Sequence, residues 1–171
     1  MTSSLTRPDL EQIRTWLEEV PDPEVPAVSV MDLGIVRDVQ WAGDELVVAI
    51  TPTYSGCPAT SVIAFDIEAA LRARGLDRLR VERRLSPPWT TDWISESGRR
   101  KLEAYGIAPP AERVGDSPSP FDRFLRKPLV IVCPRCKSDN TSRISEFGST
   151  PCKAQYRCDV CLEPFDYFKC I

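Results

Sequence analysis

The sequence contains no histidine. That absence removes the Ser/His/Asp and Cys/His nucleophile mechanisms and every histidine-ligated metal centre. It also removes the Glu-x-x-His di-iron motif. No stretch approaches the roughly 18 to 20 apolar residues that a membrane span needs. Basic residues are not in excess: 22 Lys and Arg stand against 25 Asp and Glu, for a net charge of −3 and a pI near 5.1. This balance argues against general nucleic-acid binding. A glycine fingerprint for flavin or nucleotide is missing as well. Residues Met1 to Pro8 carry neither a basic-then-apolar leader nor a small-residue cleavage site, so a cytoplasmic protein is expected.

Whatever chemistry remains must use thiol, carboxylate, amine, hydroxyl or backbone. Among the 171 residues are seven cysteines and 16 prolines, and neither is evenly spread. Six of the cysteines fall after residue 129. An odd cysteine count in a reducing compartment points to metal binding or thiol chemistry rather than to disulfides.

Hydrophobic spacing predicts a helix over residues 8–20, with Leu10, Ile13, Leu17 and Val20 on one stripe. The run from Pro21 to Pro26 ends it, because proline lacks an amide donor and restricts its predecessor. Residues 35–41 and 45–51 read as the strands of a hairpin turning at Ala42 to Asp44. Pro58 is placed to open a second helix, 59–74, with Val62, Ile63, Ile67, Ala70 and Leu71 inward and Gly75 as its cap. A third strand is expected around Leu79 and Val81, then a short helix from Glu96 to Tyr105 ended by Gly106. Pro109, Pro110, Pro118, Pro120 and Pro128 mark the following stretch as an extended linker.

Cys133-Pro-Arg-Cys136 and Cys158-Asp-Val-Cys161 form two C-x2-C pairs, spaced slightly wider than is usual for paired zinc knuckles. Each pair can wrap a tight turn with both sulfurs on one ion, and two pairs close a tetrahedral shell. A closed thiolate shell holds structure and activates no water. Residues 129–171 are too few to fold securely on apolar burial alone. A structural zinc can supply on the order of 10–16 kcal/mol of apparent folding energy. Between the pairs, residues 143–147 and 152–157 fit paired strands around a turn at 148–151. Iron is chemically allowed by the same four ligands. Cys152 and Cys170 are left over; Cys152 shares a strand face with Cys158, which would put it near the knuckle, and both are read as packing, with an alternative iron site or a redox pair as the other readings.

Cys57 is the lone thiol of the first unit. It directly precedes the helix-opening proline, so it is expected at or beside the N-cap, where free amides and the helix dipole favour a thiolate. Such a cysteine can coordinate a metal or carry a transferred group; a buried helix-start cysteine is the plainer reading. Asp22 and Glu24 flank Pro23 in an acidic loop that suits either a cation or a simple helix-ending turn. Arg72, Arg74, Arg78, Arg80, Arg83 and Arg84 are balanced by nearby acids and read as a solvated face, with an acidic partner as the alternative.

Several segments together resemble known families. Residues 22–26, 29–36 and 51–58 resemble the iron–sulfur assembly domain of the SufT type. The tail, from Cys133 through residues 145–153 and Cys158 to Ile171, is similar to that of the PaaD family, accessory proteins encoded with the bacterial phenylacetyl-CoA oxygenase, the 1,2-epoxidase of phenylacetate catabolism. The resemblance implies an α+β chain: residues 1–107 a SufT-like iron–sulfur assembly domain, 108–128 a proline-rich linker and 129–171 a four-cysteine zinc ribbon. It further implies a non-enzymatic maturation factor that assists an iron or iron–sulfur centre in partner subunits, most plausibly the flavin and iron–sulfur reductase. The alternative is a scaffold that stabilises the oxygenase complex. On this resemblance Cys57, Asp22 and Glu24 would form a transient iron or cluster site, and Cys133, Cys136, Cys158 and Cys161 would hold structural zinc. Neither nucleic acid nor membrane is expected as a partner.

Overall fold

The computed structural model describes residues 7–111 and 130–169. The remainder of the expected linker, residues 112–128, lies outside the described residues, as does Cys170.

Helix α1 spans Leu10–Glu18, capped by Asp9, whose carboxylate accepts the Gln12 amide at 2.7 Å. A cap of this kind contributes about 1 kcal/mol. Strands β1 (Val36–Ala42) and β2 (Glu45–Ile50) pair antiparallel across a two-residue turn, and β3 (Leu79–Arg83) runs parallel to β2. Helix α2 (Thr60–Arg72) makes the crossover that a parallel pairing requires. Leu46, Val48 and Ile50 alternate into the main core, where Ile13 and Leu17 of α1 meet Ile63, Ile67 and Leu71 of α2. Val62, expected inward, is exposed at 47%, because it falls one position outside the buried i, i+4 row of α2.

Helix α3 (Glu96–Tyr105) is capped by Ser95 and closed by Gly106 at φ +94°. Directly after it, where the sequence suggests no strand, Ile107–Ala108 form the short strand β4. It pairs parallel with β7 (Pro164–Phe168), in a second sheet ordered β4-β7-β6-β5, where β5 is Thr141–Ser145 and β6 is Lys153–Cys158. The first of the ribbon strands therefore starts at 141 rather than 143, since Thr141 is already opposite Cys158. Cys152 and Phe168, from the ribbon, are buried in the core of the first unit, and Lys137 of the ribbon pairs with Glu103 of α3 at 2.5 Å. Thus the ribbon is packed onto the first unit.

The segment 29–34 shows how an irregular stretch is fixed. Asp32 accepts Ser29 N and Oγ, both at 3.1 Å, Ser95 Oγ at 3.1 Å and Lys101 Nζ at 2.6 Å. Burial disfavours its charge, but Lys101 and Ser29 outweigh this and hold the carboxyl below its ordinary value. Gly34 has φ +64°, and a Cβ there would stand 2.4 Å from the Trp93 carbonyl oxygen. Both residues fasten the turn before β1 to the α3 region. Among the described residues, no helix is long and apolar enough to cross a membrane.

Candidate metal centre and transfer site

The ribbon brings its four cysteines to one point. Cys133, Cys136, Cys158 and Cys161 place their sulfurs within 4.8 Å of one another, with Cys133 to Cys161 at 3.8 Å and Cys136 to Cys158 at 3.4 Å. A tetrahedron with Zn–S bonds of about 2.3 Å has sulfur–sulfur edges of about 3.8 Å, so the quartet has the size of a zinc shell. Both knuckles are built alike. The residue after each second cysteine, Lys137 and Leu162, adopts a left-handed conformation, φ 63° and 64°. Each turn is tied by main-chain bonds, Lys137 N to Cys133 O at 3.0 Å in one and Cys158 N to Glu163 O at 2.9 Å in the other.

The donor set is also primed electrically. The Cys161 amide, 3.5 Å from Cys158 Sγ, leads the groups that pull the Cys158 thiol down to about 7. Cys161 accepts from the Glu163 amide, which favours its thiolate. Burial and the sulfurs of Cys136, Cys158 and Cys133 outweigh that and push Cys161 up to about 12. Four crowded sulfurs without a cation cannot all ionise; a divalent ion removes the conflict. Among the described residues, this is the one group of three or more metal-type donors drawn so close.

The second cluster of expected residues meets at the other end of the ribbon. Asp22, Glu24 and Cys57 line one cavity of about 20 Å³ together with Thr53, Cys152 and Phe168. Asp22 is 6% exposed, and its Oδ1 accepts the amides of Glu24 at 3.0 Å and Val25 at 2.8 Å. Asp22 thus shapes the loop that presents Glu24. Burial pushes the Asp22 carboxyl up, against the Val25 and Glu24 amides and Lys153. Glu24 is half-buried and is likewise pushed up by burial and by Asp22, with Lys153 opposing.

Cys57 is half-buried in the loop before α2. The expected N-cap position is corrected: Ala59 is the N-cap, because the loop spends an extra turn, with Cys57 O accepting Thr60 Oγ1 at 2.8 Å and Thr60 N at 3.3 Å. Burial and the nearby Cys57, Glu24 and Cys152 push the Tyr54 phenol up. Cys152 could not be placed from periodicity. It precedes β6, so about 20 Å of strand separates it from Cys158, and it is not near the knuckle. Instead it is 4% exposed against the first unit, with Thr150 Oγ1 at 3.1 Å from its sulfur. Three consecutive residues, Cys152, Lys153 and Ala154, are buried there, which an alternating strand pattern does not signal. Five of the six arginines meet acids among the described residues: Arg72 with Glu68, Arg74 with Glu19, Arg78 with Asp44, Arg80 with Glu45 and Arg84 with Asp38. A solvated, ion-paired face accounts for them.

A two-layer unit that turns a single cysteine toward two acidic loop residues, joined to a ribbon that gathers four sulfurs, defines an iron–sulfur-assembly-type domain with a zinc ribbon. Residues 10–82 match the family model described as iron-sulfur cluster assembly protein, and residues 117–169 match that of the PaaD zinc beta ribbon domain. A curated relative from Escherichia coli K12, named as a putative 1,2-phenylacetyl-CoA epoxidase subunit, is 46% identical over 169 residues, spanning 99% of this chain and 98% of its own. The chain belongs to the PaaD family. Among solved structures it is similar to a domain of unknown function from Bacillus anthracis, 28% identical, covering 54% of this chain and 89% of that one, with a TM-score of 0.49. A conserved hypothetical protein from Thermotoga maritima is 31% identical over 56% of this chain and 95% of its own, with a TM-score of 0.48.

Proposed function

We propose that this chain is a non-catalytic accessory factor of a phenylacetyl-CoA epoxidase system that assists assembly of an iron or iron–sulfur centre in a partner subunit. The carrying observation is that Cys57 lines one cavity with Asp22 and Glu24, more than thirty positions earlier in the chain. A thiolate beside carboxylates suits transient iron, because thiolate ligands exchange readily for those of a client. The similarity to an iron–sulfur assembly family and to an epoxidase subunit supports the same reading. The client is the iron–sulfur reductase of the system, whose cluster is held by thiolates that can take over the cargo. Residues 1–107 carry the transfer site, 108–128 link it to the ribbon, and Cys133, Cys136, Cys158 and Cys161 hold a structural zinc at 129–171. When bound, that ion supplies folding energy and no reactive water, and the chain's own part is to hold the knuckles.

The test is co-production of the reductase with Cys57→Ser. Its cluster occupancy falls while zinc in the accessory chain is retained; unchanged occupancy overturns the transfer role. A scaffold is the second reading, favoured by Ile144, Phe147, Val160 and Leu162, which the ribbon leaves exposed. It predicts stoichiometric co-purification with the oxygenase and indifference to Cys57→Ser.

A further inference from the structure

We infer that the transfer site is composite: Cys152, delivered by the ribbon, is the second thiol ligand beside Cys57, with Glu24 as carboxylate ligand, and the site takes a single divalent ion, iron(II), rather than a preformed cluster. The inference rests on the transfer reading above and adds a ligand and a cargo to it.

Three observations carry it. First, the two sulfurs come from different units yet line the same cavity, together with Asp22 and Glu24. Cys152 is 4% exposed, so its thiol is reached through the cavity and not from the surface. Second, the cavity of about 20 Å³ is the size of one water. A lone ion fits that space as it stands, whereas a 2Fe–2S core, with four atoms, would need the cavity opened. Third, the charge is unbalanced. Asp22, Glu24, Cys57 and Cys152 line the cavity with no basic side chain among its lining residues, and Lys153, next to Cys152 in the chain, is paired with Asp166 at 3.4 Å. A cation is the complement of such a pocket.

On binding, Cys57 and Cys152 each lose a proton to solvent, two iron–sulfur bonds form, and the Glu24 carboxylate supplies an oxygen. The metal stays divalent, so no oxidant or reductant is consumed. Unlike the ribbon sulfurs, these three donors do not all lie within 4.8 Å of one another, so binding has to draw Cys57, which follows the exposed Ser55 and Gly56, toward Cys152.

Cobalt(II) serves as the probe, added anaerobically to full-length protein whose ribbon is already filled with zinc. Zinc is bound more tightly than cobalt by a given site, so the ribbon keeps its ion. The expected result is one cobalt per chain with thiolate-to-metal charge-transfer absorption, abolished by Cys57→Ser and weakened by roughly tenfold or more in Cys152→Ala. Wild-type affinity in Cys152→Ala with loss in Cys57→Ser overturns the composite site and leaves the transfer reading standing. Absence of cobalt binding by the wild type also overturns it, while reductase occupancy decides the transfer reading separately. Should Cys152→Ala fail to fold, the unmutated chain is treated with dibromobimane, which fluoresces after bonding two neighbouring thiols. A Cys57–Cys152 cross-link blocked by cobalt is expected; no cross-link between these two overturns the inference.

Discussion

Trp89 of the first unit and Phe168 of the ribbon meet with ring centroids 6.1 Å apart and planes inclined at 53°. Both are buried, and Trp89 Nε1 also donates to the Leu33 carbonyl at 2.9 Å, which orients the indole for the contact. This pair is the apolar seam between the two units. Phe168→Ala removes one side of it and should cost about 3–5 kcal/mol in urea unfolding. Tryptophan emission shifting to the red before the far-ultraviolet signal is lost would report the ribbon parting first. An unchanged emission in the folded variant would contradict the seam.

Removal of the ribbon ion by chelator, or Cys158→Ser, should take zinc from one per chain to none and unfold β5 to β7. The first unit should keep its helices. Amide exchange reads the outcome: protection disappears from residues 153–168 and persists in β2.

The two buried carboxylates of the first unit should act on stability with opposite sign. Asp32 sits below its ordinary value of about 3.9, so its contribution is complete above that pH and is lost as pH falls through the lower native value. Asp22 sits above its ordinary value, so stability declines as pH rises from the ordinary value through the raised one. Asp32→Asn should therefore destabilise at neutral pH, by about 1–3 kcal/mol through the lost Lys101 bond. Asp22→Asn keeps an oxygen for the Glu24 and Val25 amides and should be neutral or stabilising, with the acid-side slope from Asp22 gone. Unfolding midpoints of both variants across the acid range check the signs.

Gly34→Ala forces a side chain into a left-handed position against the Trp93 carbonyl. A loss of at least about 1–3 kcal/mol is expected, read as a lower melting temperature with the zinc content intact.

Much of the first unit was legible because its signals are local. Apolar periodicity gave α1 and α2, a glycine turn gave the hairpin, and Ser95 and Gly106 bracket α3. The zinc quartet was legible for the same reason, since two short spacings specify two turns. What stayed hidden is long-range. The two-residue strand β4 is too short for any period to declare, and only its pairing with β7 makes it a strand. The place of Cys152 depended on where β6 begins and on which surface covers that end. Chain neighbours decide neither.

Strand β6 runs from Lys153, just after the buried Cys152, to Cys158 in the metal cluster. One length of backbone therefore bolts the cavity wall to the zinc knuckles. On the proposed transfer role, a nascent chain still waiting for its ribbon metal should lack that wall, leaving its upstream thiol facing water alone. Zinc starvation should then also lower delivery of iron to the client, read as reduced cluster occupancy of the reductase in zinc-depleted cells.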